Sequence, residues 1–187
     1  MAQALSQWDL YQQLIDLPES LTGEILNGQL HAHPRPGGKH IRASYRIGYS
    51  LGGPYDQGTN GPGGWIILQE PEVHLVLDKE VVVPDVAGWK KERLLEIPES
   101  HKFTIVPDWV CEILSPSTAS VDREIKMPLY AQYGVNYLWL VDPKAIFLEA
   151  YKRADKQWVQ LGRFEAGDSI CIEPFEAVSF SFKDFIE

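Results

Sequence analysis

"PDWVCEILSPSTASVDREIK", residues 107–126, reads as a strand, a turn and the start of a helix. Trp109, Val110, Cys111, Ile113 and Leu114 form the short apolar run of a buried strand. Glu112 stands inside that run, where a carboxylate is costly unless it is paired, hydrogen-bonded or holding a cation. The Ser-Pro-Ser-Thr segment that follows is turn chemistry, and Ser115 has no partner base at a recognisable spacing to make it a nucleophile. A helix is predicted from about Ser120 to Tyr133, ended by Gly134. Pro128 lies inside it and predicts a kink just after Lys126.

A second run, "VVVPDVAGW" (81–89), is built the same way, with Asp85 as its only acid. Read as a strand, it places Asp85 on one face with Val83 and Ala87, as Glu112 shares a face with Val110 and Leu114. If the two strands are neighbours in near register, the carboxylates project from one face roughly 5 Å apart. Such a pair repels at low dielectric. A hard divalent cation resolves the conflict: Mg²⁺ takes one or two carboxylates and completes its shell with water and substrate phosphate. The plainer reading is a pair of strand-end acids satisfied by backbone amides or an arginine. Lys126, on the helix after Glu112, could orient or help deprotonate an attacking water and offset transition-state charge. Equally, it could pair with Asp122 at i, i+4 on a solvated helix face.

Further from these runs, "TGEILNGQLHAHP" is a hairpin around Asn27-Gly28, and "GGKHIRASYRIGYSLGG" is a helix between glycine pairs. Lys39, Arg42 and Arg46 recur on that helix at i, i+3 and i+7 as one basic stripe. The stripe suits DNA-backbone contact or a solvated face. Residues 53–64 read as a glycine-rich loop long enough to be mobile or a lid. "WIILQ", "EVHLVL" and "NYLWLVD" are further strands, and 145–187 predicts more strands with turns near Asp155 and Gly167-Asp168. The aromatic residues of "YAQYGVNYLWL" are assigned to the core, some to a subunit interface. The pattern predicts α/β or α+β, a mixed central sheet flanked by helices with an added N-terminal hairpin and C-terminal strands. At 187 residues the expectation is a single domain, 1–187.

An apolar content of 44% with 11% aromatic residues excludes a disordered chain. Two cysteines, Cys111 and Cys171, have neither metal-ligand nor disulfide-scaffold spacing. The N-terminus reads without a secretory signal and no apolar run approaches ~18 residues, so a cytoplasmic protein with no membrane partner is expected. Twenty-six acids against 17 bases give a net charge of −9, which argues mildly against nucleic-acid binding. The average hides an asymmetry, because Leu30 to Tyr55 contains no acid and four Lys and Arg.

Pro84-Asp85, then Glu112 in a strand, then a lysine resembles the PD-(D/E)XK nuclease superfamily. More closely, "GEILNGQL", "VPDV", "PDWVCEILSPSTASVDREIK", "YAQYGVNYLWLVDP" and "SFSFKDFI" resemble, in order, the Uma family of candidate restriction endonucleases. The resemblance implies a restriction-endonuclease-like core with Asp85 and Glu112 as Mg²⁺ ligands (Mn²⁺ as substitute) and the Ile113 carbonyl completing the site. Leu114 occupies the place where the superfamily pattern has its lysine, and Lys126 occupies the family's displaced position. Glu24 fits a supporting acid in the same cleft or an exposed hairpin glutamate. His40 fits a phosphate contact or a helix-start surface histidine. His31 and His33 alternate on one strand face without a third zinc ligand. The function expected is a Mg²⁺-dependent endonuclease acting on DNA as a homodimer. The alternative is a nuclease-fold protein that binds nucleic acid or protein without cleaving.

Overall fold

The computed structural model describes residues 7–186. Helix α1 (Gln7–Ile15) precedes the hairpin of β1 (Leu21–Leu26) and β2 (Gln29–Pro34), in which Leu26 faces Gln29. Asn27 and Gly28 hold φ of 52° and 72°, the two left-handed residues that a type I′ turn requires. Helix α2 (Gly38–Leu51) buries Ala43, Ile47 and Leu51, one residue per turn on a single face.

The glycine-rich segment begins with regular structure. Gly52–Gln57 continue α2 as a π-helical turn. The buried Tyr55 hydroxyl donates to the Phe175 carbonyl at 2.5 Å and accepts the Val178 N–H at 3.0 Å. Asp56 accepts the Ile67 N–H. Gly61 packs so closely on Pro54 that an added Cβ would lie 2.4 Å from the proline Cβ, so the segment is fastened to its neighbours.

Strands β3 (Trp65–Gln69), β4 (Glu72–Val76), β5 (Glu80–Val82), β6 (Val86–Lys90), β7 (Lys102–Phe103) and β8 (Trp109–Ile113) follow. After α3 (Ala119–Val121), a π turn (Asp122–Lys126) and α4 (Met127–Tyr133) come β9 (Tyr137–Asp142), β10 (Phe147–Ala154) and β11 (Gln157–Glu165). The chain closes with β12 (Ser169–Ile170), β13 (Phe180–Ser181) and α5 (Lys183–Ile186). A six-stranded sheet has the order β11-β10-β9-β8-β6-β3, and a five-stranded sheet has β2-β1-β5-β4-β7. Both are mixed: β8–β9 and β4–β7 are parallel.

The N-terminal hairpin forms as expected, and Ile25 pairs with Val81, which makes β1 part of the second sheet. One expectation changes here. The run 81–89 is not one strand. Its first part, β5, belongs to the five-stranded sheet and its second, β6, to the six-stranded one, with Val83-Pro84-Asp85 as the crossing. Proline cannot donate to a ladder, so the strand breaks there.

Strand β8 is buried along its whole length. Trp109, Cys111 and Ile113 enter a core with α2, Trp65, Trp139 and Phe175. Val110 and Leu114 enter another core with Leu129 and Tyr130 of α4. Period-two alternation therefore puts Glu112 on the α4 side. Residues 119–133 are helical, as expected, and Gly134 ends them at φ 96° with its N–H on the Tyr130 carbonyl. Pro128 is taken up by the preceding π turn, whose Met127 N–H bonds the Asp122 carbonyl. No described helix is long and apolar enough to cross a membrane.

Candidate active site at the strand crossing

Strand β6 pairs with β8 as far as Val86 opposite Cys111. Continuing that register would set Pro84 opposite Ile113, and proline has no N–H to offer. The Ile113 N–H instead donates to Asp85 Oδ2 at 2.6 Å. The Ile113 carbonyl lies on the same edge of its strand, without the donor that a continued β6 would have supplied. The Asp85 N–H points back at Glu112 Oε2, 3.4 Å away. The two acids thus meet where the β6–β8 pairing ends and not across one face of a strand pair, because Asp85 sits in the bend before β6.

Asp85 is held from the α2 side. His40 Nε2 lies 2.6 Å from Asp85 Oδ1, and Ser44 Oγ donates to the Asp85 carbonyl at 3.3 Å. Glu112 is held from the α4 side. The Tyr130 hydroxyl donates to Glu112 Oε1 at 2.5 Å, and the Lys126 ammonium lies 2.8 Å from the same oxygen. Lys126 also reaches Glu24 Oε1 at 2.9 Å, whereas Asp122 is 3.8 Å away. Lys126 is 3% exposed, so the solvated-face pairing with Asp122 does not describe it. Glu24 is buried and accepts the Val83 N–H at 2.8 Å, which fastens the crossing to the five-stranded sheet.

The expected basic stripe divides. Lys39 and Arg42 are exposed, while Arg46 is half-buried and donates to the Asp184 carbonyl at 2.9 Å. His33 Nε2 lies 3.9 Å from Glu24 Oε2. Tyr130 and Asp122 join the cluster although the sequence reading does not single them out as site residues. Their signal is the recurrence of Asp122, Lys126 and Tyr130 every four residues along one face of the helix. Asp85 and His40 open onto a cleft of about 140 Å³ bordered by Arg35, Ser115, Ser117 and Thr118.

Burial pushes the Glu112 carboxyl well above its usual range, and Asp122, Asp85 and Glu24 add to this against the pull of Lys126. Burial also raises Asp122, reinforced by Asp85 and Glu24. At Lys126 burial works against the charge, but Glu112 and Glu24 outweigh it and hold the ammonium above the ordinary lysine value. Cys111 and Tyr130 are raised by burial and then by these carboxylates. Glu24, Glu112 and Asp122 thus gather around Lys126, and Glu112 and Asp122 hold their protons to higher pH than ordinary carboxyls do.

Residues 8–183 match the profile of the Uma2 family, described as "Putative restriction endonuclease". The chain belongs to the Uma2 family. A crystal structure from Anabaena variabilis ATCC 29413, described as "a putative nuclease belonging to DUF820", superposes with a TM-score of 0.73. That protein is 22% identical, over 95% of this chain and 97% of its own, a likeness that establishes the fold. No curated protein matches the sequence.

The donor atoms at the strand crossing are of the kind a hard cation takes. Asp85, Glu112 and the Ile113 carbonyl offer oxygen only, the surplus charge is negative, and the proline leaves that carbonyl without a ladder donor. Among the described residues, no group of three or more His, Cys, Asp and Glu is arranged to hold a metal. An ion here would therefore draw further donors from backbone and water, as Mg²⁺ does.

Proposed function

We propose that this protein is a divalent-metal-dependent endonuclease that hydrolyses DNA phosphodiester bonds in the cytoplasm. The observation that carries the reading is the oxygen-lined strand crossing, where Asp85, Glu112 and Glu24 outnumber the buried Lys126 ammonium. Asp85, Glu112 and the Ile113 carbonyl would hold Mg²⁺, with Mn²⁺ as substitute. When bound, the ion supplies a Lewis acid and a bound water of lowered pKa. His40 and the Ile113 N–H fix the two Asp85 oxygens, and Tyr130 fixes Glu112. Lys126 serves as a fixed positive charge toward the developing negative charge, because an ammonium held above its ordinary pKa is a poor base. Arg35 and the hydroxyls of Ser115, Ser117 and Thr118 border the cleft as donors for the phosphate. A cut through both strands needs two such centres, and a homodimer supplies them.

The test is nicking of supercoiled plasmid with Mg²⁺ or Mn²⁺. Wild type nicks, while Asp85→Asn and Lys126→Ala do not. Nicking that survives both substitutions refutes the assignment. Retained DNA binding without nicking in either metal assigns the fold to binding alone.

A further inference from the structure

Helix α2 carries an aromatic ridge on its outer side. Ile41, Tyr45 and Tyr49 fall at i, i+4 and i+8, and are 54%, 50% and 68% exposed. The two tyrosine rings stack at 6.0 Å between centroids and 24° between planes. Buried Ala43, Ile47 and Leu51 already anchor the opposite side of the helix, so the ridge is not needed to dock it. Three adjoining exposed apolar side chains on one helix mark a contact surface.

Two observations identify what that surface meets. The first is position. A groove of about 410 Å³ runs from Ile41 and Tyr45 to Arg35, Pro36, His40 and Glu70, and those last four also line the cleft that holds Asp85. A ligand lying on the ridge therefore continues into the candidate active site. The second is charge. The ridge lies in a long acid-free stretch of a chain with net charge −9, beside the exposed Lys39 and Arg42. Phosphate attraction from so few cations is weak on an acidic protein. Stacking of bases on aromatic rings adds affinity without charge, and it requires unpaired bases.

We infer that the Ile41–Tyr45–Tyr49 ridge is a stacking platform for unpaired bases, so that single-stranded segments of nucleic acid are the class of substrate delivered to the cleft. The inference rests on the proposed nuclease reading, but it is tested by binding, without cleavage. Fluorescence anisotropy in EDTA would compare labelled dT20, an abasic oligonucleotide of equal length and charge, and a 20-base-pair duplex. Wild type binds dT20 about tenfold more tightly than the abasic strand or the duplex, and Tyr45→Ala and Tyr49→Ala each weaken dT20 about tenfold. The same substitutions leave the abasic strand unchanged, and Tyr→Phe at either position retains binding. Equal affinity for dT20 and the abasic strand overturns the inference. So does dT20 binding indifferent to Tyr45→Ala and Tyr49→Ala, whatever the plasmid assay shows. Sedimentation in which these variants convert a dimer to a monomer would give the ridge to a second copy of this chain and overturn it as well. Both side chains are exposed, so unchanged thermal melting verifies that the variants are folded.

Discussion

Replacing Lys126 with Met removes the ammonium that touches both Glu24 and Glu112 while keeping the volume of the side chain. That ammonium lies 2.9 Å from Glu24 Oε1 and 2.8 Å from Glu112 Oε1; the lysine side chain is 4% exposed and each glutamate side chain 2%. A surface pair would be worth at most ~1 kcal/mol. At this burial the substitution leaves two carboxylates without the cation between them, and removing one partner of a buried pair costs about 3–5 kcal/mol. For a chain of this length that lowers the melting temperature by about 6–20 °C. The destabilisation also depends on pH. In wild type the folded Glu112 keeps a proton that the unfolded chain gives up. Its contribution to stability therefore falls as pH rises from the ordinary carboxylate range toward the raised folded value. Lys126 is the group that pulls Glu112 down, so its removal widens that window. The raised lysine itself contributes fully below its unfolded pKa and is lost only as pH passes the folded one, so it adds no slope between pH 5 and 8. The deficit of Lys126→Met should therefore be smallest near pH 5 and largest near pH 8, and Mg²⁺ should restore more stability to the variant than to wild type. Urea unfolding at both pH values, with and without Mg²⁺, measures all of this. A deficit below about 1 kcal/mol, or one that does not change with pH, refutes the buried-cluster reasoning.

Tyr130→Phe removes the hydroxyl that donates to buried Glu112, with an expected cost of about 1.5–3 kcal/mol by denaturant unfolding. It also withdraws a donor from the charged carboxylate, so the Mg²⁺-binding midpoint should move to higher pH, and an unmoved midpoint would separate Tyr130 from the site. Mg²⁺ binding to wild type should release protons, because the ion replaces a proton retained on the raised Glu112. Calorimetry in two buffers of different ionisation enthalpy reads the proton count, and binding should strengthen from pH 6 to pH 8.

Where the residues act locally, their pattern is a sufficient guide. Asn27-Gly28 demands two positive φ values and has them. Glu112 stands alone among apolar neighbours on a strand face, and its burial in an acid–lysine cluster follows from that isolation. Lys126 is legible as a candidate, but its depth is not, because a helix pattern does not say how far the helix sinks. The crossing at Val83-Pro84-Asp85 reads as continuous strand because apolar residues occupy both sides of it. Two sheets ask for the same residue types, and only the proline hints at a break. Tyr130 reads as core, and it is core. Hidden from the pattern is that its hydroxyl ends on Glu112, a contact between elements separated by the whole Ser115–Thr118 turn.

The sequence by itself determined most of the strands, the hairpin turn, the helix that ends at Gly134, and the two acids that needed an explanation, because these follow from periodicity, turn dihedrals and the cost of a buried charge. Only the tertiary structure decided that β5 and β6 part company into different sheets, that Glu24 crosses from one sheet to meet Lys126, and that His40 reaches Asp85. Those meetings depend on which elements lie side by side, and contacts between groups 27 to 102 residues apart leave no local trace in the chain.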